Sequence, residues 1–235
     1  MGTSYADFQD ELIGVMMKTY ENAFHHGHLY IEVEDGDLWD GVVQNIEALF
    51  QETKRPLQTG VFSDDVERIR LLMKCGFLRK RRCYEIEVRR SDLLVQLSEN
   101  ACKLLEANEG SASYAACAQM MFLAYARTHA EVNPLTATFE EFIQILPANA
   151  VFVERDGEIR ALAFVEKNEI AYLASDSPED LPSFFASLLT RMFSQYEYIF
   201  FEADDIDPTA MALKHLFAVR PSVSFDTYVK TGAKT

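Results

Sequence analysis

Apolar and polar residues follow one another along the first third of the chain in patterns that change repeatedly between helical and strand periods. Residues 7–24 carry apolar side chains three and four positions apart, which predicts an amphipathic helix, and the run HHGH then interrupts it. The pattern that follows predicts a strand at 28–35, a helix at 38–52, a strand at 56–62, a helix at 63–75 and a strand at 83–88. This alternation indicates an α/β protein.

The remainder of the chain, after a polar joint at residues 89–92, continues the alternation. Its pattern predicts helices at 114–129 and 138–146, three strands within 150–176, a helix at 181–196, a strand at 198–204, a helix at 208–217 and a strand at 224–230. Asp156 and Gly157 form a hairpin signal between the first two of the three strands. The joint predicts a boundary between an N-terminal domain, residues 1–92, and a C-terminal domain, residues 93–235.

The segment DDVERIRLLMKCGFLRKRRCYEIEV, residues 64–88, carries clear helix signals. Asp64 and Glu67 stand at capping-box spacing, and Gly76 is the residue type that tolerates the left-handed conformation just beyond a helix C-terminus. The basic residues 79–82 follow, in what the pattern predicts to be a solvent-exposed turn. They would either bind a phosphate group or pair with acidic residues, in the same chain or across a homodimer.

Composition limits the classes of partner. The chain has 37 acidic and 22 basic residues and a formal net charge of −15 at pH 7. An acidic surface repels nucleic acid and anionic membranes and favours basic partners such as amines. The four cysteines lack CxxC spacing, and the sequence shows neither a signal-peptide core nor an apolar run of about 20 residues. These features predict a cytoplasmic protein with reduced thiols.

An internal comparison relates the two halves of the chain. Residues 29–88 and 171–230 align without a gap and share the order strand, acidic loop, helix, strand, helix, strand. Identities are few: Tyr30 aligns with Tyr172, Asp65 with Asp207 and Leu71 with Leu213, while Gly76 falls on Ala218. The shared order predicts a structural repeat and duplicated α/β units.

This order of elements resembles the GNAT superfamily of N-acetyltransferases. With KLLEA at 103–107 as the family's first strand, residues 101–230 reproduce the family's complete order, whereas the N-terminal domain resembles only its second half, from HLYIEVED onward. The run RLLMKCGF, residues 70–77, is similar to the run that ends the family's penultimate helix, and Asp65 stands where the family often has Asn. The resemblance implies a mixed β-sheet flanked by helices, complete in the second domain and partial in the first. It also implies a cofactor slot where the central strand separates from its neighbour.

The activity that the resemblance implies is acetyl transfer from acetyl-CoA to a small-molecule or peptide amine, with the site in the C-terminal domain. Glu202 and Asp204 would accept the amine proton or bind the amine, Tyr172 and Tyr228 would donate from their hydroxyl groups, and Lys214 falls at the position of the family's tyrosine acid. The cofactor would contact the central strand and the loop and helix starts beyond it, at Leu173, Ala174, Ser175, Ser177, Leu181 and Asp207. The alternative for the acidic residues at 202–207 is a solvated strand end followed by a helix N-cap.

The loops after the two central strands depart from the family pattern. EDGDLWD and SDSPEDLP lack the glycine pair whose backbone N–H groups hold the cofactor's pyrophosphate, and both carry several carboxylates. In the N-terminal domain, Leu72 stands at the position of the tyrosine acid and cannot donate a proton. Two other hypotheses therefore stay open: a non-catalytic GNAT-like binding or dimerisation module, and an unrelated acidic interaction protein.

Two further clusters have a structural and a chemical interpretation. His25, His26 and His28 would either ligate a metal ion or form a polar loop, and without a companion ligand at a standard interval we expect the loop. Cys75 and Cys117 lie on apolar helix faces, where we expect small core residues rather than nucleophiles.

Overall fold

The computed structural model describes residues 17–33, 39–97 and 102–232. Contacts divide the chain into two compact units. Unit 1 takes its described residues from Met1–Arg82, His129–Ala137 and Val223–Thr235, and unit 2 takes its own from Cys83–Thr128 and Thr138–Ser222.

Strands and helices alternate through both units. In chain order they are β1 (Met17–Tyr20), β2 (Leu29–Val33), α1 (Trp39–Thr53), β3 (Leu57–Phe62), α2 (Val66–Lys74), β4 (Leu78–Arg89), β5 (Leu105–Asn108), α3 (Ala112–His129), α4 (Phe139–Ile143), β6 (Asn149–Arg155), β7 (Glu158–Glu166), β8 (Glu169–Ser175), α5 (Leu181–Gln195), β9 (Tyr198–Asp204), α6 (Pro208–Lys214) and β10 (Phe225–Lys230). The strands pair in both parallel and antiparallel fashion, so the prediction of an α/β protein with a mixed sheet is confirmed.

In unit 1 the strands lie in the order β1-β2-β3-β10-β4, to which β4 contributes its first residues. β2 and β3 are parallel, while β1 and β10 run antiparallel to their neighbours β2 and β3. Alternate side chains of the parallel pair, among them Ile31 and Leu57, belong to a buried cluster with Ile46 of α1 and Leu72 of α2. This cluster is the hydrophobic core of unit 1.

In unit 2 the order is β4-β9-β8-β7-β6-β5, to which β4 contributes Cys83–Arg89. β8 and β9 are parallel and the other pairs are antiparallel. Helix α5 buries Phe184 and Leu188 in a cluster that includes Ala163 of β7 and Phe201 of β9. The parallel pair and this helix form the central part of unit 2.

The last strand of each half of the sequence pairs with a strand from the other half. The last strand of the N-terminal half pairs in unit 2, and the last strand of the C-terminal half pairs in unit 1. Cys83–Arg89 pairs antiparallel with β9 in unit 2, and β10, near the end of the chain, pairs antiparallel with β3 in unit 1. The predicted boundary after residue 92 therefore follows the order of elements along the chain and differs from the division by contacts.

Equivalent positions of the sequence repeat have equivalent local roles. Asp65 caps the start of α2 by accepting from the N–H of Arg68, and Asp207 caps α6 by accepting from the N–H groups of Thr209 and Ala210. Gly76 has a φ of 82°, which confirms its predicted left-handed position after α2. The cap of α2 is thus one residue later than the capping-box spacing predicted, and the duplication itself stays a prediction.

Two predicted elements are wrong. Met17–Tyr20 is a strand rather than the end of a helix, because it pairs along its length with Tyr30–Val33 of β2. Residues 79–82 are part of β4 rather than a turn. Residues 21–24 of the predicted first helix are a loop rather than a helix, and residues 7–16 lie outside the described residues.

The predicted hairpin between β6 and β7 is confirmed. Asp156 and Gly157 both have positive φ, 57° and 79°, between β6 and β7, as the hairpin signal requires. Among the helices that the structure describes, none has the length and apolar character needed to cross a membrane.

Candidate functional site

Within the described residues, the parallel strands β8 and β9 pair only at the first two residues of β8 and the middle of β9. Glu169 and Ile170 stand opposite Phe200 and Phe201, and no later residue of β8 has a register partner on β9 within the described chain. On its other edge β8 pairs with β7 as far as Ser175. The backbone of residues 171–175 therefore turns one edge toward a gap between β8 and β9.

The Glu202 carboxylate and the Tyr172 hydroxyl lie close enough to interact electrostatically. Glu202 is exposed on β9, and Tyr172 is half-buried on β8. Burial raises the pKa of the Tyr172 hydroxyl, and the carboxylates of Glu202 and Glu169 raise that pKa further. Tyr172 consequently keeps its proton at neutral pH and is a hydroxyl donor beside a carboxylate.

Residues of β4 complete the surroundings of Glu202. The Cys83 thiol donates to Glu202 Oε2 at 3.7 Å, and Glu85 stands directly opposite Glu202 in the antiparallel ladder. Glu85 is also exposed. Two carboxylates side by side favour the approach of a cation such as a protonated amine.

Asp204, Asp207 and Lys214 lie at the end of β9 and on α6. Asp204 is the last residue of β9, and its carbonyl accepts from the N–H of Asp207 at 2.9 Å. Burial raises the pKa of the Asp207 carboxyl, although its two capping hydrogen bonds act in the opposite direction. The Lys214 ammonium lies 4.5 Å from the centre of the Tyr84 ring, a cation–π contact within unit 2. The structural interpretation of Asp207 as an N-cap is confirmed.

The loop after β8 holds a buried carboxylate of its own. Asp180 is 3% exposed; it accepts from the Ser177 hydroxyl at 2.6 Å and forms an ion pair with Arg155. The Ser175 hydroxyl donates to the Ser177 carbonyl at 3.0 Å. These contacts make the loop a compact turn with an internal negative charge.

The start of α5 offers few backbone donors to an anion. The N–H of Leu181 donates to the Pro178 carbonyl at 3.3 Å, and Pro182 has no N–H. Leu173 and Ala174, which precede the loop on β8, are buried. A pyrophosphate group at this position would lack the set of N–H donors that a glycine-rich loop supplies.

Tyr228 is separate from the other candidates. It is 4% exposed in the core of unit 1, whereas Tyr172, Glu202, Asp204 and Lys214 all belong to unit 2. Burial raises the pKa of its hydroxyl. The structure thus groups four of the five predicted catalytic residues in one unit.

The basic residues of β4 pair with a buried acid inside unit 1. Asp226 of β10 is 1% exposed and accepts from Arg82 Nε at 3.0 Å and from Arg79 Nη1 at 3.4 Å. Arg81 donates to the Thr227 hydroxyl at 3.3 Å and lies 3.2 Å from His129 Nε2. Intramolecular pairing is therefore confirmed for Arg79 and Arg82.

The histidine and cysteine candidates are largely structural. His28 Nδ1 lies 2.8 Å from Gln58 Oε1, and His25 Nδ1 lies 3.3 Å from the Pro134 carbonyl oxygen. In the part of the chain that the structure describes, no three His, Cys, Asp or Glu side chains are arranged to hold a metal ion. Burial raises the pKa of the Cys117 thiol to about 12, so it stays protonated and is a poor nucleophile.

Sequence reasoning missed Asp180 and Asp226. Each is a buried acid with an arginine partner distant in sequence: Arg155 for the first, and Arg79 and Arg82 for the second. An isolated acid in a run such as SFDTYVK is a weak signal for such a pair, because the partner cannot be identified from one sequence.

Comparisons with known proteins identify the fold. No protein-family model and no curated protein matches this sequence. Among solved structures, a GCN5-related N-acetyltransferase from Sphaerobacter thermophilus matches with a TM-score of 0.60 and 10% identity, over 91% of this chain and 75% of that one. One from Kribbella flavida matches with a TM-score of 0.53 and 14% identity, over 94% and 89% of the two chains. A GNAT-family acetyltransferase from Colwellia psychrerythraea matches with a TM-score of 0.50 and 8% identity, over 92% and 81%. The chain therefore has the fold of the GCN5-related N-acetyltransferases.

Proposed function

We propose that this protein is an acetyl-CoA-dependent N-acetyltransferase that acts on an amine and that unit 2 carries the reaction. The observation that carries the proposal is the early end of pairing between β8 and β9, after Ile170 and Phe201. In a sheet, unpaired backbone N–H and C=O groups need partners. An extended acyl-pantetheine arm supplies amide and carbonyl groups that meet this need along residues 171–175.

The amine side of the reaction is assigned to Glu202. Its exposed carboxylate attracts a protonated amine, with Glu85 adding negative charge beside it. Glu202, directly or through a water molecule, takes one proton from the ammonium group, and the neutral nitrogen then attacks the thioester carbonyl carbon. Backbone N–H groups of β8 at the gap stabilise the oxyanion that forms.

The thiol side of the reaction is assigned to Tyr172. When the tetrahedral intermediate collapses, the carbon–sulfur bond breaks and the thiolate takes a proton from the Tyr172 hydroxyl. The second proton that the nitrogen loses passes through water to the tyrosinate and restores its hydroxyl. The raised pKa of this hydroxyl ensures that it holds a proton at neutral pH. Lys214 and Asp204 remain secondary candidates in unit 2, and Tyr228 has no role in this scheme.

A second candidate function is a GNAT-like binding module without catalysis. The observation in its favour is the loop after β8, where the carboxylate of Asp180 is buried with Ser177 and Arg155 and the start of α5 includes Pro182. Such a loop binds pyrophosphate poorly, because it offers few N–H donors and holds a negative charge.

Calorimetric titration of the full chain with acetyl-CoA and with CoA separates the two candidates. The proposal predicts saturable binding of both ligands at about one equivalent per chain. Absence of binding at millimolar ligand would remove the enzyme and leave the binding module.

A further inference from the structure

Unit 1 contains a cavity of about 750 Å³ at the point where β2 and β3 separate. Among the described residues these strands pair only at Leu29 with Leu57 and at Tyr30 with Gln58, and the cavity begins just beyond. Its walls come from the ends of both strands, from β1, from β10 and from the start of α2. The volume is within the range of pockets that hold small organic molecules.

Aromatic rings form one wall of the cavity. Phe62 and Phe225 lie opposite each other on β3 and β10, with ring centres 5.2 Å apart in an edge-to-face arrangement. They are 51% and 37% exposed, which is unusual for phenylalanine. Tyr20 of β1 also lines the cavity.

Gly60 allows the Phe225 ring to lie at this wall. A Cβ atom at position 60 would stand 2.2 Å from Phe225 Cζ, a separation that non-bonded carbon atoms do not reach. The ring therefore lies against the bare backbone of β3. Any larger residue at position 60 would displace the ring.

The polar lining of the cavity is acidic. Among the lining residues that the structure describes, three are carboxylates and one is a guanidinium. Arg68 pairs with Asp65 at 3.2 Å, and Lys18 stands directly opposite Glu32 in the β1–β2 ladder, whereas no described cation pairs with Asp64. Carboxylates thus outnumber cations beside the exposed aromatic rings.

We propose that this cavity binds a small organic ammonium ion whose apolar part lies against Phe62 and Phe225 and whose charged group lies near Glu32 and Asp64. Aromatic rings attract cations through their negative faces, and the carboxylates add Coulomb attraction. The same charges disfavour anionic ligands such as nucleotides. This site is distinct from the β8–β9 gap and does not depend on acetyl transfer in unit 2.

The test compares two probes of similar shape, 2-phenylethylamine and 2-phenylethanol, by calorimetry with the full chain. We expect the amine to bind at least about tenfold more tightly than the alcohol, because only the amine is charged at neutral pH. Equal affinities for the two probes would overturn the proposal. So would the absence of amine binding at about 10 mM, a concentration at which even a weakly bound ligand is detected.

Substitution of the cavity carboxylates tests whether the amine binds in this cavity. We expect the double substitution Glu32→Gln with Asp64→Asn to weaken amine binding about tenfold. The matched control, Glu52→Gln with Glu87→Gln, removes the same charge from exposed positions that do not line the cavity. Equal losses in the two double variants would show a general charge effect and contradict the site.

Gly60→Ala tests the aromatic wall. We expect it to displace Phe225 and to weaken the amine and the alcohol alike. Phe225→Leu gives the same information if Gly60→Ala does not fold. Unchanged affinity in a folded Phe225→Leu variant would exclude the ring from the site.

Discussion

Ile170 of β8 stands opposite Phe201 of β9 in the last register pair that joins these parallel strands. Both side chains are buried in the core of unit 2, so the strands are held firmly where pairing ends. The gap beyond is consequently a fixed feature of the fold, and it determines where an acyl group would meet Glu202 and Tyr172.

Replacement of Glu202 separates catalysis from cofactor binding. We expect Glu202→Gln to reduce kcat for acetyl transfer about 10²-fold or more, because a general base is lost, with acetyl-CoA affinity little changed. Steady-state kinetics and calorimetry measure the two effects.

Glu85→Gln is the matched control for this variant. It removes the same charge from the position directly opposite on β4 and leaves the proposed base in place. Equal losses of kcat in the two variants, or full activity in Glu202→Gln, would remove Glu202 from the mechanism.

Loss of the buried acid on β10 should destabilise unit 1. Asp226→Asn leaves Arg82 and Arg79 without their charged partner, so we expect the free energy of unfolding to fall by about 3 kcal/mol. Urea unfolding followed by circular dichroism measures this change.

The control for Asp226 is an exposed ion pair. Asp176→Asn breaks a pair with Arg127 in which both side chains are more than half exposed, and we expect a loss of less than about 1 kcal/mol. A similar loss in both variants would mean that burial does not strengthen the pair of Asp226.

Acidification should weaken the fold through two buried histidines. Burial lowers the pKa of His25 and His28 below the usual value of 6.5, so near that pH the unfolded chain binds protons that the native protein does not. The free energy of unfolding therefore falls as pH decreases through about 6.5, by up to about 1.4 kcal/mol per pH unit for each histidine.

His28→Gln isolates one of these contributions. We expect a smaller difference in unfolding free energy between pH 7.5 and pH 5.5 than in the wild type. An unaltered pH dependence in His28→Gln would show that His28 takes up its proton as readily in the native protein as in the unfolded chain.

The cap of α6 gives a test of Asp207. Asp207→Ala removes the acceptor for the N–H groups of Thr209 and Ala210, and we expect it to cost about 1 kcal/mol of stability. Asp207→Ser keeps a capping oxygen and should restore most of that loss. If acetyl-CoA affinity falls in both variants while the serine variant is stable, Asp207 also contacts the cofactor.

Much of the fold could be predicted from local sequence signals. The left-handed Gly76 and the Asp156-Gly157 turn depend on backbone conformations that only certain residues tolerate, so both are visible in the sequence. β1 was missed because Met17–Tyr20 shares apolar spacing with a helix, and its pairing with β2 decides the outcome. Basic residues 79–82 resemble a solvent-exposed turn until Asp226, 147 positions from Arg79 and 144 from Arg82, is placed beside them.

In the candidate site, too, some features could be predicted from the sequence, whereas others depend on pairing between distant strands. The order of elements placed Tyr172 and Glu202 on neighbouring strands, which their electrostatic interaction supports. Tyr228 was grouped with them by sequence order, yet β10 pairs with β3 in unit 1. The cavity of unit 1 depends on Gly60 and Phe225, whose contact follows from strand pairing between distant segments and has no local signal.

The proposed slot is tested most directly by amide hydrogen exchange with and without acetyl-CoA. A concentration of about 1 mM is chosen because it is on the order of the dissociation constant of a weakly bound cofactor. Unpaired amides on the gap side of β8 should exchange quickly in the free protein and slowly when a ligand occupies the gap. The account predicts slower exchange in residues 171–175 and no change in residues 57–62 of β3. Unchanged exchange in residues 171–175 at saturating acetyl-CoA would contradict it.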